Sequence, residues 1–295
     1  MNFSFITGVA FAILAGSSSS LGQILQKKAV NQAPPDLLKK HKIKYLLKKP
    51  VWITGVFLFV GLSSVFYMIS ESLLGPVLVP GIMTSGLIVL VIGSAKIVHE
   101  KISAKEIMGI IILAAGTLFI TASHLVISYK NIDLTQEGLI LRISIFTILT
   151  ILLWLFFNFL AGLSHTKRGI LKGIAAGFPF VLSNLWIFFL YASMFPFFQG
   201  QRSTAILVFF PLSSLILILT NILGLSELQS AYKIEAVSLV APVQQIPIQI
   251  APLFYYFFIF NYTFLDIKSI ADIALGIFLI LVSGLILSGK NKLIY

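Results

Sequence analysis

Nine stretches of predominantly apolar residues, each roughly 20 long, follow one another at 4–25, 51–72, 76–98, 106–127, 138–162, 169–193, 203–226, 235–260 and 270–289. That pattern leaves few folds open. A helix of about 20 residues crosses a hydrocarbon layer about 30 Å thick, and it satisfies its own backbone donors and acceptors where lipid offers none. With 58% hydrophobic residues, 11% charged residues and a mean hydropathy of +1.01, a water-soluble fold would have nowhere to hide the apolar surface. The sequence predicts an all-α, polytopic membrane helix bundle of about nine transmembrane helices.

The charges set the orientation. If the spans alternate, 17 of the 21 Lys and Arg fall on one side, eight of them between Lys27 and Lys49, and only Lys130, Arg142, Arg202 and Lys268 fall on the other. The positive-inside rule then puts the C-terminus in the cytoplasm and the N-terminus outside. The net charge of +11 sits between apolar spans, where anionic headgroups of membrane lipids are the nearest partner; nucleic acid is not expected. The stretch Met1 to Gly16 carries no charge and so lacks the positive start of a secretory signal; it reads as a retained first helix. Absence of cysteine removes disulfides and thiol chemistry. Between Pro34 and Leu46 an aspartate follows two prolines and precedes mixed apolar and basic residues, which fits either a short helix on the inner leaflet or a solvated loop.

The two halves echo one another. The run from Gly8 to Ser19 matches the run from Gly173 to Asn184 when aligned end to end. Val79-Pro80 followed by Gly109 and Gly116 matches Ala241-Pro242 followed by Gly276 and Gly284. Two four-helix repeats joined by one extra crossing face opposite ways. The expected organisation is therefore a first transmembrane repeat at 1–127, a connecting helix at 138–162 and a second, inverted transmembrane repeat at 169–295. Inverted repeats mark secondary transporters, whose solute site lies near the bilayer midplane.

Polar residues at that depth are the candidate site. The eighth span carries Pro242, Pro247 and Pro252, each lacking an N–H, together with Gln244, Gln245 and Gln249. Gln245 and Gln249 are four apart and share a face. Two readings stand side by side: a broken helix with hinges at Pro80, Pro242, Pro247 and Pro252 beside a solute path, or kinks and interhelical hydrogen bonds of the kind common in bundles. Ser18, Ser19, Thr84, Ser183 and Asn184 complete the candidate lining, with close helix packing as their alternative role. Ser63, Ser64, Ser213 and Ser214 read as packing groups. No ionisable residue lies at the centre of a span, which disfavours a midplane carboxylate relay. His41, His99, His124 and His165 lack metal-ligand spacing. No phosphate loop, nucleophile elbow or zinc-protease helix is present, so neither an enzyme nor a cofactor is expected, and any metal site is left unassigned.

Three regions then carry a likeness to a known family: the serine-rich first helix running into Gln26-Lys27-Lys28, the stretch from Leu78-Val79-Pro80 to His99-Glu100-Lys101, and Ala231 through Val237-Ser238-Leu239-Val240-Ala241-Pro242. The chain resembles the drug/metabolite transporter (DMT) superfamily, EamA-like, and is most similar within it to the NIPA-like magnesium transporter family. The resemblance implies a permease working by alternating access on a small polar or cationic solute, magnesium among them, with an amino acid, amine or metabolite as the alternative substrate. It departs from the magnesium carriers where their glutamate and asparagine fall on Ser64 and Tyr67, and magnesium normally takes carboxylate ligands. A non-transporting scaffold or lipid-handling protein is the competing class. The plasma membrane is the expected location, the partners are a small-molecule or ion substrate and membrane lipids, and a homodimer is compatible with the sequence.

Overall fold

A computed structural model describes residues 3–34, 45–74, 78–123, 132–261, 263 and 266–288. Among them there is no strand, and nine helices are long and apolar enough to cross a membrane. Helix α1 is Phe3–Asn31. Helix α2 joins Pro50–Val56, a π-helical stretch Phe57–Leu62 and Ser63–Leu74. Helix α3 joins Leu78–Met83, Gly86–Gly93 and a π-helical end Ser94–Val98. Then come α4 (Ala104–Ala122), α5 (Leu139–Leu163), α6 (Arg168–Phe198) and α7 (Thr204–Tyr232). Helix α8 is Val237–Phe254, continued by the π-helical turn Tyr255–Ile259, and α9 is Ile267–Ser288. The inner-leaflet helix considered for Pro34 to Leu46 falls mostly on 35–44, outside the described residues.

Local chemistry sets several ends. A capping box starts α4: Ser103 accepts from the Glu106 N–H at 3.2 Å and Glu106 accepts from the Ser103 N–H at 3.1 Å. Gly138, at φ 72°, turns the chain into α5, a backbone conformation that glycine adopts without strain. At the end of α3 the same left-handed region is taken by His99, at φ 60°.

The chain divides into two compact units. One holds α1 to α4, α9 and the segment Gln229–Val243; the other holds Leu125–Leu228 and Gln244–Leu265. Contact thus groups the helices differently from the repeats read in the sequence, because α9 joins the helices of the first half. In the first unit α1 and α2 run antiparallel, with the Ser70 hydroxyl donating to Gly8 O and that of Ser63 to Ala15 O, both at 2.9 Å. Glycine brings their backbones together at the other end, where a Cβ on Gly22 would lie 2.5 Å from Gly55 O. Helices α1 and α3 run parallel and touch backbone to backbone: a Cβ on Gly16 would lie 2.1 Å from Met83 O, and one on Gly86 would lie 2.2 Å from Gly16 O.

The α4–α9 pair is reciprocal. A Cβ on Gly116 would meet Gly276 O at 2.9 Å and Ile280 Cγ1 at 2.9 Å, while one on Gly276 would meet Gly116 O at 2.8 Å and Ile120 Cγ1 at 2.6 Å. An antiparallel pair with a local two-fold axis at its crossing gives this pattern of contacts. The axis matches Gly116 to Gly276 and Ile120 to Ile280. That register lies about two helical turns from the equivalence of Gly109 with Gly276 suggested by the sequence.

Of the two helices that carry candidate hinges, α8 is continuous and α3, with Pro80, is interrupted. Helix α8 continues through Pro242, Pro247 and Pro252 without a break. Each proline forfeits one backbone hydrogen bond, and a spacing of five turns successive prolines by about 140° around the axis, so their bends do not add in one direction. It is α3 that breaks, at Thr84–Ser85. There Thr84 N–H bonds Gly81 O at 3.2 Å, Ser85 N–H bonds Ile82 O at 3.0 Å and Leu87 N–H bonds Thr84 O at 2.9 Å, the three-residue spacing of a tightened turn.

Candidate functional site

Burial separates the spans. In α6 and α8, 67% and 61% of the most apolar window is buried, against 17–39% for the other seven, which present broad apolar faces of the kind lipid covers. Five of the eight candidate lining residues lie on α6 and α8 within one unit.

Glycine and proline fix how those two helices meet. A Cβ on Gly177 would lie 2.4 Å from Pro247 Cγ and 2.5 Å from Gln244 O, so only a residue without a side chain lets α6 approach α8 there. Further along, the Tyr255 hydroxyl donates to Val181 O at 2.5 Å, and the helices run parallel. Tyr255 also packs edge to face against Phe146 and Phe188. Beyond lies an aromatic core of Trp186, Phe189, Phe209 and Phe260.

Within this frame the candidate amides stand apart. Gln244 is fully buried, and neither its Nε2 nor its Oε1 has a hydrogen-bond partner. Gln245 and Gln249 are half-buried, and Asn184 is the one exposed position between Ala175 and Trp186. Ser183 is engaged: its hydroxyl accepts from Asn221 Nδ2 at 2.7 Å, while Asn221 also donates to Leu217 O at 2.8 Å. Asn221 was not distinguished by the sequence, since a single asparagine in an apolar span carries no spacing signal.

Six hydroxyls in the same unit are spent locally. Ser144, Thr150, Ser193, Ser213, Ser214 and Thr220 each donate to the carbonyl four residues back, at 2.6 to 2.9 Å. Such back-bonding leaves no donor to offer a solute. Lys172 donates to Asn158 Oδ1 and pairs with Glu227 at 3.3 Å, near the ends of α6 and α7.

The other three candidates belong to the first unit. Ser18 is buried and Ser19 half-buried on α1, one turn from the contact of Gly16 with α3. The Thr84 hydroxyl donates to Gly81 O at 2.6 Å within the break in α3, and the neighbouring Ser85 Oγ is buried with no partner. Of the packing groups, Ser63 bonds α1 and Ser64 bonds back to Val60 O at 2.6 Å.

The first unit also holds a buried polar network that the sequence reading passed over. The Tyr232 hydroxyl donates to Gln23 Oε1 at 3.0 Å, Gln229 Nε2 donates to Gln26 Oε1 at 2.5 Å, and Gln26 Nε2 reaches Gly55 O at 3.4 Å. Gln23, Gln26 and Lys27 share one face of α1 by their spacing, which was the available signal. Their partners around the α7–α8 connection lie more than 200 residues away in the chain. No group of three or more His, Asp or Glu among the described residues could hold a metal ion.

Compared with protein-family models, curated proteins and solved structures, the chain matches none.

Proposed function

We propose that the protein is a permease of the drug/metabolite transporter type, carrying a small polar solute across the plasma membrane by alternating access, with its lysine-rich loops in the cytoplasm. One observation carries this reading: amides of Gln244, Gln245, Gln249 and Asn184 stand at mid-span on the two most buried helices, and the Gln244 amide has no partner in the protein. An amide buried without a hydrogen bond costs about 1–3 kcal/mol, and one turned toward acyl chains costs more. In this conformation the amide is shut off, and a wet solute path that opens onto it during the transport cycle would supply the missing partners. Pro242 and Pro247 flank the first two glutamines and leave the carbonyls of Ser238 and Val243 without a helical N–H, adding acceptors to the same stretch.

The chemistry on offer is neutral. Amide groups donate and accept alike, which suits an uncharged or zwitterionic solute that does both. Magnesium would have to be taken with its waters still bound, since the described residues bring no carboxylate cluster to it.

A thermal-shift panel on the purified protein tests the reading. Neutral and zwitterionic metabolites are expected to raise the melting temperature of the parent but not of a variant carrying Gln245→Leu and Gln249→Leu. A shift with Mg²⁺ alone, retained in that variant, would overturn it.

A further inference from the structure

Lys27, near the end of α1, is a charged residue of the first unit left only 7% exposed. Its Nζ donates to Tyr232 O, the last carbonyl of α7, and, at 2.7 Å, to Glu235 O in the connection that follows. Just beyond that connection, Glu100 takes up the opposite pole: its two oxygens accept from the Val237 N–H at 2.7 Å and the Ser238 N–H at 3.1 Å, the first amides of α8. Each charge has the sign that its helix end attracts, cation on carbonyls and anion on amides. The position before α8 is Ala236, which cannot cap the helix, so the cap comes from a residue 137 positions away. Glu100 is delivered there by the left-handed turn at His99, a strained conformation for a residue with a side chain.

We propose that Lys27 and Glu100 form an electrostatic latch that grips the connection between α7 and α8 from both ends and lets it go during the conformational cycle. The segment they hold, Gln229–Val243, is the tip of the α7–α8 hairpin, which groups with the first unit while the remainder of both helices groups with the second. The change of unit in α8 falls one residue after Pro242. Two buried acceptors beside the grip, Gln229 Oε1 and Ser238 Oγ, are unpartnered in the gripped state, so release gives them access to water. These four bonds run between a charged side chain and backbone, so they depend on the direction of the chain at the ends of the two helices. A modest rotation of the tip breaks them together.

The chain has no cysteine, so a single reporter thiol can read the latch. Ser238→Cys places one on a residue with no exposure, and labelling by a charged maleimide in proteoliposomes measures how often it meets water. Lys27→Met and Glu100→Gln are each expected to speed labelling at least tenfold. Lys27→Arg, which keeps the charge, and Lys28→Met, which changes a neighbouring lysine outside the latch, are expected to leave it near the parent rate. Ser283→Cys, fully buried between α4 and α9, serves as the second reporter and is expected to stay protected throughout. Unchanged labelling at Ser238→Cys overturns the latch, and so does equal acceleration at Ser283→Cys, which would mean that the bundle as a whole has loosened. The latch's place in a transport cycle rests on the permease reading, but labelling needs no solute, so the two fail separately.

Discussion

Replacing Gln244 by leucine separates a functional amide from a packing one. The side chain is fully buried, both polar atoms of its amide lack a partner, and the carbonyl of the same residue is pressed against Gly177. Leucine keeps much of the volume and removes the two unpaired groups. The folded protein loses a desolvation penalty of about 1–3 kcal/mol and regains part of it as apolar burial, so Gln244→Leu is expected to be more stable than the parent by about 1–3 kcal/mol. Reversible denaturant unfolding in one defined micelle reads the difference. Uptake by the same variant is expected to fall at least tenfold, because a residue kept at a cost to stability is kept for what it binds. A loss of stability of 1 kcal/mol or more with uptake unchanged would refute the reasoning, since it would show the amide holding the fold together.

Three further outcomes follow from the geometry. Gly16→Ala puts a Cβ 2.1 Å from Met83 O, backbone that cannot step aside cheaply, and is expected to cost about 1–3 kcal/mol in unfolding assays and to straighten or displace the break in α3. Gly276→Val should likewise part α4 from α9, lowering the melting temperature, because Gly116 O and Ile120 lie within 3.0 Å of the first added carbon. Asp133 accepts from the Thr135 hydroxyl at 2.6 Å and from its N–H at 2.8 Å, and these bonds hold its carboxyl below the usual carboxylate range. Since the folded value is the depressed one, the turn is held above the ordinary pKa of 3.8 and weakens as pH falls through the lower, folded value. Thr135→Val is expected to move the Asp133 titration upward by NMR.

The architecture was legible because lipid punishes every departure from it. Span count and approximate limits came from apolar length, and the antiparallel neighbours and parallel next-neighbours of the structure agree with alternating crossings. What the sequence did not disclose depends on partners distant in the chain. Three prolines in α8 left both a break and mere kinks open, and the backbone carries through them, while the break at Thr84–Ser85 in α3 begins four residues after the candidate hinge Pro80. Lys27 read as a topology marker, and only folding brings the carbonyls of Tyr232 and Glu235 to it. Gln23, Gln26 and Gln229, given no role by the sequence, are buried and bonded. Among the candidate residues, spacing could not tell the engaged from the unengaged: Ser183 is bound to Asn221, and Gln244 to nothing.

The central claim is that neutral amides on α6 and α8 line a path for solute. Flux of neutral and zwitterionic metabolites into proteoliposomes, compared between the parent and the Gln245→Leu, Gln249→Leu variant matched for folded protein, tests it most directly. The account predicts solute-dependent uptake by the parent and a loss of at least tenfold in the variant. Equal flux through both proteins would contradict it.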